Sequence, residues 1–469
     1  PLAGALALTL MACGESTLVA ANQPLTVYGT SPDTVSARGG ERLTLHGAGL
    51  TNDCQVELGE KTVRAEFISE NELRVRAPPL FAGRAPLTVK GANGSSAVLD
   101  DGLEVVALQL RFVEAPPHAL PLPAGTVDSA AFVDLDFDGD LDFVTCGAGC
   151  QPWLNDGNSN FSVASDAGTG LPAGATLLAL RDLDRDARPD LVLAVSGAGA
   201  VYLSDDGGFR EALALGALEA VAFGDLDGDG KQDLVTAGGG WLTVRPLRFV
   251  APAAPDAGEP DAGEVEEDAG VSGDDAGVAV LDAGAVDAGP QPLEIPAARQ
   301  VLVADFDGDG DDDVVLSTRD APGGVALRLF LNADGWLSEV LGGLPGSPVQ
   351  PVKALAAGDV NGDGHLDLLV VGDGQDRLLL NDGAAHFFDA TPAMMPVDNS
   401  PGTSVVLVDL DRDRDLDAVI GNGTGAARLY INQGQGRFAD QTPLLPVASR
   451  ALAQVLAADF DGDGDDDVL

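Results

Sequence analysis

One acidic frame, Asp-x-Asp/Asn-x-Asp-x-x-x-Asp, recurs seven times in this chain with apolar residues on both sides of each copy. The copies occupy 134–142, 182–190, 225–233, 305–313, 359–367, 409–417 and 459–467. Self-similarity at a near-constant period restricts the fold to arrays of one supersecondary unit, each burying its apolar face on the next. The frames begin 43 to 54 residues apart, apart from one gap of 80.

The internal spacing has its own chemistry. A hard divalent cation needs six to eight oxygens at short range, so a tightly curled backbone must converge several carboxylates on one point. Positions 1, 3, 5 and 9 supply side-chain oxygens, and position 7 supplies its backbone carbonyl. The expected Ca2+ ligands are Asp134, Asp136, Asp138, Asp140 and Asp142, then Asp182, Asp184, Asp186 and Asp190. Asp225, Asp227, Asp229, Lys231 and Asp233 follow, then Asp305, Asp307, Asp309, Asp311 and Asp313. The fifth set is Asp359, Asn361, Asp363, His365 and Asp367, and the sixth Asp409, Asp411, Asp413 and Asp417. Asp459, Asp461, Asp463, Asp465 and Asp467 close the series.

Glycine at positions 4 and 6 permits the curl. The first frame keeps Gly139 but has Phe137 at position 4, and two frames depart at both positions, with Arg185 and Ala187 in one and Arg412 and Arg414 in the other. There the guanidinium groups are an alternative counter-charge to a metal. Solvated acidic turns would not repeat one carboxylate spacing seven times. An EF-hand would need a bidentate Glu at position 12 between amphipathic helices, whereas Thr145, Leu316 and Val370 stand there between β-type runs.

The formal charge is −48, and seven bound divalent ions would still leave −34. Such a surface repels nucleic acid and anionic lipid. The first residues form a short apolar run too brief to span a bilayer, as at the end of a secretory signal. Leu10-Met-Ala-Cys13 resembles a bacterial lipobox, which implies lipidation of Cys13; a plain signal peptide or an ordinary cysteine remains the alternative. The lack of an initiator Met and of a basic leader suggests a sequence clipped at its start. Cys146 and Cys150 are spaced for a local disulfide in an oxidising compartment, and no further soft ligands nearby favour zinc. Cys54 is expected as a buried free thiol.

Residues 1–22 read as signal tail and tether, 23–107 as a small antiparallel β-sandwich and 108–469 as the repeat array. In the sandwich segment, short alternating strands are expected at 42–46, 55–58, 62–68, 72–77, 85–90 and 103–106. The run from Ser31 to Leu50, with Val56-Glu-Leu-Gly59 and Arg76-Ala-Pro-Pro79, resembles an IPT/TIG domain, which implies an immunoglobulin-like fold. His46 lies in one of these strands and reads as structural.

From Leu108 onward, an apolar strand enters each frame and a second leaves it. A third strand ends in a polar Gly turn and an aromatic (Phe161, Phe209, Trp336, Phe388, Phe438), and a short fourth leads onward. Four antiparallel strands at this period make a propeller blade. Asp225–Asp233 followed by Leu-Val resembles the FG-GAP/VCBS repeats of integrin-type propellers. That resemblance implies an all-β, seven-bladed propeller with calcium loops. The 252–295 stretch holds six Asp-Ala-Gly triplets and is expected to be a disordered loop between the third and fourth blades. Phe112 precedes its frame by the spacing of the hairpin aromatics, so 110–114 should pair into the last blade. Because the chain stops at Leu469, two residues past the seventh frame, that blade is expected to be incomplete and the ring open or poorly closed.

The four histidines are scattered, and no nucleophile, zincin or phosphate-loop motif occurs. The expected function is a non-enzymatic, calcium-stabilised adhesion or ligand-binding protein, exported across the inner membrane to the outer membrane or cell surface. Its partner would be an extracellular protein or glycan, and the membrane would be met only through the N-terminal lipid. A Ca2+-dependent polysaccharide lyase or hydrolase on a propeller scaffold, and a purely structural envelope component, are the alternatives.

Overall fold

The second strand of every repeat determines how the sheets pack. It opens on the ninth residue of a frame and, in the first six repeats, is buried along nearly its whole length, as in Asp142–Gly147, Asp313–Thr318 and Asp417–Asn422. Such a strand has no solvent face, so its sheet must be covered on both sides. The computed structural model describes residues 24–107, 110, 112, 127–158, 160–164, 171–205, 208–250, 280–282, 292–319, 326–333, 335–346, 351–423, 425–446, 454–462 and 465–469. It is all-β apart from short helical turns at Thr391–Met394 and Thr442–Leu444. Two compact units, Pro1–Leu108 and Gln109–Leu469, divide the chain. Cys13 and the rest of the N-terminal run lie outside the described residues.

The first unit is an immunoglobulin-like sandwich. One sheet takes Thr26–Ser31, Arg42–Ala48, Glu72–Arg76 and Glu66–Ser69 in that order. The other takes Thr34–Ser36, Ser96–Val106, Gly83–Lys90, Gln55–Leu58 and Lys61–Val63. Alternate residues face inward, and Leu43, Leu45, Val56, Leu58, Leu87, Val89 and Leu103 are wholly buried between the sheets. Two local expectations fail. The single strand expected at 62–68 is two strands, Lys61–Val63 and Glu66–Ser69, in opposite sheets. The sandwich is also not purely antiparallel, since Thr34–Ser36 runs parallel to Glu104–Val106. Cys54 is a free thiol, half-buried against the core. His46 sits in its strand with Nδ1 3.9 Å from Glu72.

Among the described residues of the second unit, six four-stranded antiparallel sheets follow in order, each strand paired with the next in sequence except in the third sheet. A two-stranded sheet, Ala457–Ala458 with Asp467–Val468, stands at the seventh frame. Successive sheets share apolar clusters. Val144 and Leu191 join the first two sheets, Val192 and Leu234 the second and third, and Val235 and Val314 the third and fourth. Val315 and Leu368 continue the series, then Leu369 and Ala418. Val419 packs with Val455 and Val468 of the last sheet. Phe460 then packs on Phe143, Trp153 and Phe161 of the first, its ring 4.4 Å from Phe132.

The order therefore returns to its start in a propeller-like arrangement, and the open or poorly closed ring expected from the short last blade is not found. Two hydrogen bonds reinforce the closure: Ala130 N–H donates to Gln454 Oε1 (2.9 Å) and Asn155 Nδ2 to the Phe460 carbonyl (2.8 Å). Leu110 and Phe112 pack in the apolar cluster of Val419 and Leu429, but no strand pairing is described for them, and the rest of 110–114 lies outside the described residues.

The hairpin turns shift two aromatic positions by one residue. Phe387, not Phe388, faces Asn381 and is buried, while Phe388 is exposed. Leu337 takes the equivalent place in the fourth sheet, leaving Trp336 in solvent. The long insertion lies inside the third sheet rather than after it. The fourth strand of that sheet is Leu293–Glu294, paired to Trp241–Pro246. Arg248–Val250 pairs separately with Val280–Asp282. Disorder across all of 252–295 is thus excluded for these strands, and most of the remaining stretch lies outside the described residues.

Candidate metal centres

Each frame curls because its own carboxylates take up its backbone N–H groups. The position 6 N–H donates to Oδ2 of the position 1 Asp at 2.8–3.1 Å in six frames. Position 7 N–H groups donate to the position 5 acids Asp138, Asp186, Asp229, Asp309, Asp363 and Asp413 at 2.7–3.0 Å. These turns need left-handed backbone at positions 4 and 6, which Gly228 and Gly230 adopt at φ 72° and 77°. Arg185, Ala187, Arg412 and Arg414 adopt it too, at 59–80°, against the preference of L-residues.

With the backbone so held, the remaining oxygens converge. In four frames the acids at positions 1, 3 and 9 bring oxygens within 4.8 Å of one another: Asp134/Asp136/Asp142, Asp182/Asp184/Asp190, Asp305/Asp307/Asp313 and Asp409/Asp411/Asp417. In the third frame the converging group is Asp225/Asp227/Asp229. The two arginine-bearing frames converge like the others, so their guanidinium groups do not displace the carboxylate cluster. Arg412 Nε instead lies 3.6 Å from Asp465 of the next frame. The charge of Arg185 likewise acts on Asp229 of the next frame.

The donor set is all oxygen, which suits a hard cation. Asp134 Oδ1, Asp225 Oδ1 and Asp411 Oδ1 are buried and accept no hydrogen bond, which is costly for a carboxylate without a counter-charge. A cation at the cluster would satisfy them. Burial, then repulsion from Asp413 and Asp409, pushes Asp411 up to about 6. Asp136 and Asp307 are also raised, by burial and then by the neighbouring acid.

The position 9 acids do more than ligate. Asp142, Asp190, Asp313, Asp367 and Asp417 are fully buried. In all seven frames Oδ2 of this Asp accepts the N–H of position 2, at 2.7–3.2 Å. In five, Oδ1 accepts a backbone N–H from the third strand, from Asn155, Ser204, Asn332, Asn381 or Asn432. Each carboxylate oxygen keeps a second lone pair for a cation. Burial raises these acids, to about 6 at Asp233, Asp313 and Asp367, about 7 at Asp190 and about 8 at Asp417.

Position 7 varies, as the backbone role expected there would allow. Lys231 pairs with Asp229, while Asp140 and His365 lie over the third-strand turns of their own sheets. A Cβ at Gly383 would sit 2.3 Å from the His365 ring, and φ there is 81°, so only glycine fits that turn. Asn361 Oδ1 accepts the Asp363 N–H, filling position 3 as an aspartate does. Asp459, Asp461, Asp465 and Asp467 are described, whereas Asp463 lies outside the described residues. Cys146 and Cys150 form a disulfide across the hairpin between the second and third strands of the first sheet.

Sequence reasoning passed over the third-strand asparagines. Each of Asn155, Asn332, Asn381 and Asn432 is buried, and its Nδ2 donates to the position 2 carbonyl of the neighbouring frame. The signal is present in the Asn-Asp-Gly and Asn-Gln-Gly turns that end three of these strands.

The FG-GAP-like repeat family matches residues 182–236, 305–370, 359–420 and 409–469, and the IPT/TIG domain family matches 25–102. Cartilage acidic protein 1 of Mus musculus is 35% identical over 124 residues, 25% of this chain and 18% of that protein. The Homo sapiens protein of that name is 34% identical over 145 residues, 30% of this chain and 20% of its own length. The chain thus spans about a fifth of these relatives. A solved structure of a protein of unknown function from Bacteroides thetaiotaomicron is 13% identical, covering 89% of this chain and 97% of that one at a TM-score of 0.36. Among the described residues no helix is long and apolar enough to cross a membrane.

Proposed function

We propose that this chain, in which an IPT/TIG domain precedes a run of FG-GAP-like repeats, is a calcium-stabilised extracellular binding protein without catalytic activity. The observation that carries the reading is the convergence of carboxylate oxygens within 4.8 Å in repeat after repeat, on backbones that their own side chains hold curled. The acids at positions 1, 3, 5 and 9 would hold the ion, with the position 7 carbonyl. Calcium supplies charge neutralisation and cross-linking there, and the chain's residues supply orientation. Position 9 fixes the second strand to the loop, and position 1 fixes the curl.

In this reading the frames fasten the sheets together and the exposed surface of the array meets the partner, an extracellular protein or a glycan. The lipobox-like Leu10–Cys13 supports tethering at a bacterial surface. Equilibrium dialysis against Ca2+ tests the metal part: several ions per chain are expected, and less than one would contradict it. Glycan-array and pull-down profiling of the calcium-loaded chain tests the binding part. Retained, saturable capture supports it, and calcium-dependent cleavage of a polysaccharide would contradict the non-catalytic reading.

A further inference from the structure

We propose that the frames take up cations as a wired array rather than as independent sites, with Asn332, Asn381 and Asn432 as the couplers; the proposal rests on the cation reading above. Asn381 shows the circuit. Its backbone N–H donates to Asp367 Oδ1 in its own frame at 2.9 Å. Its Nδ2 donates to the Phe306 carbonyl of the preceding frame at 2.7 Å. The N–H of Phe306 in turn donates to Asp313 Oδ2 at 2.9 Å. One buried asparagine therefore links the position 9 carboxylates of two neighbouring frames.

Asn332 repeats the link from Asp313 to Leu226, whose N–H donates to Asp233. Asn432 repeats it from Asp417 to Val360, whose N–H donates to Asp367. The frames at 225–233, 305–313, 359–367 and 409–417 thus form one unbroken hydrogen-bonded series. Asn155 makes a separate link between Asp142 and Phe460, whose N–H donates to Asp467.

The frame at 182–190 stands outside both groups. Ser204 supplies the backbone N–H to Asp190, but its buried hydroxyl makes no hydrogen bond and reaches no neighbouring frame. On the other side, Leu247, one residue beyond the Pro246 that faces Asp233, holds the place of the asparagine and has no side-chain amide to reach a neighbouring frame. This frame lacks the asparagine link and meets the next frame only through the charge of Arg185 on Asp229 among the contacts described above.

The coupling has a direct physical basis. The position 2 residue lies between two ligand residues, so a cation that draws positions 1 and 3 together fixes both peptide planes around it. Its carbonyl then fixes the asparagine, which presents its N–H to the next position 9 carboxylate. A second cation meets a ligand already ordered and loses less conformational freedom on binding. The effect is reciprocal between neighbours.

Calcium titration of the full chain by isothermal calorimetry, compared with Asn381→Ser, tests this. The substitution keeps the backbone N–H, as Ser204 does naturally, and removes the cross-frame bond along with the side chain's own-sheet bonds to the Leu366 carbonyl and the Gly383 N–H. The wild type should bind more steeply than independent sites. The variant should bind the same number of ions less steeply, with apparent affinity in the array lower by about fivefold or more. Superimposable isotherms, loss of one ion with the rest unchanged, or a wild-type isotherm fitted by independent sites would each overturn the coupling. A wild type that binds no calcium would overturn the cation reading itself. If circular dichroism shows N381S unfolded at saturating calcium, Asn432→Ser cuts the array one frame further on and is read in the same way.

Discussion

Ala187 and Arg414 show what a single residue contributes to a frame. Both hold left-handed backbone, at φ 71° and 80°, in loops whose counterparts use glycine. An L-residue there costs roughly 1–2 kcal/mol, partly offset because glycine loses more chain entropy on folding. Ala187→Gly should therefore raise stability by somewhat under about 1 kcal/mol, and Gly364→Ala, at φ 88°, should lower it by about as much. Urea unfolding measures both, and equal midpoints for A187G and wild type would contradict the strain argument.

A second residue-scale prediction concerns Asp376, which is fully buried with its carboxylate 2.7 Å from Arg428. Burial raises it to about 7 despite Arg428. The folded state then keeps a proton that the unfolded chain releases in the ordinary carboxylate range. The stabilising effect is complete at low pH and is lost as pH rises toward about 7. Asp376→Asn should gain in Tm relative to wild type as pH rises from about 4 to 7 at saturating Ca2+. A Tm difference that does not change with pH would contradict it.

Among elements, the frame and its two flanking strands were legible because their signal is local: four acids at fixed spacing, then a buried apolar run. The hairpins were legible within one residue. The turn composition placed them, but the register that buries Phe387 and Leu337 depends on how the turn closes. Pairings across long separations were not legible. The insertion falls inside the third sheet because Leu293–Glu294 returns to Trp241–Pro246 after some fifty residues, which no local pattern announces. The asparagine links were missed for the same reason, since Asn155 meets Phe460 across 305 residues.

The position 9 acids join the two kinds of information, being visible as ligands and only structurally evident as strand anchors. Asp367→Ala would strand the buried N–H groups of Val360 and Asn381. With about 1–3 kcal/mol for each unsatisfied donor, a loss near 3 kcal/mol or more is expected even without metal. Calorimetric unfolding in EDTA checks this, and a loss below about 1 kcal/mol would contradict the anchoring role.

At the scale of the whole molecule, the repeat array was expected from its period, and the sheets do follow one another and return to the first. Closure was misjudged because it does not require a complete last blade. Phe460 in the seventh frame and Gln454 just before it reach the first sheet. The net charge of −48 bears on the whole array, because frame after frame adds a carboxylate cluster to it. Cations at those clusters would lower the mutual repulsion and fasten loop to strand at every joint. Thermal unfolding of the full chain in calcium and in EDTA tests this most directly. The account predicts a Tm higher by many degrees in calcium, and the same Tm in both would contradict it.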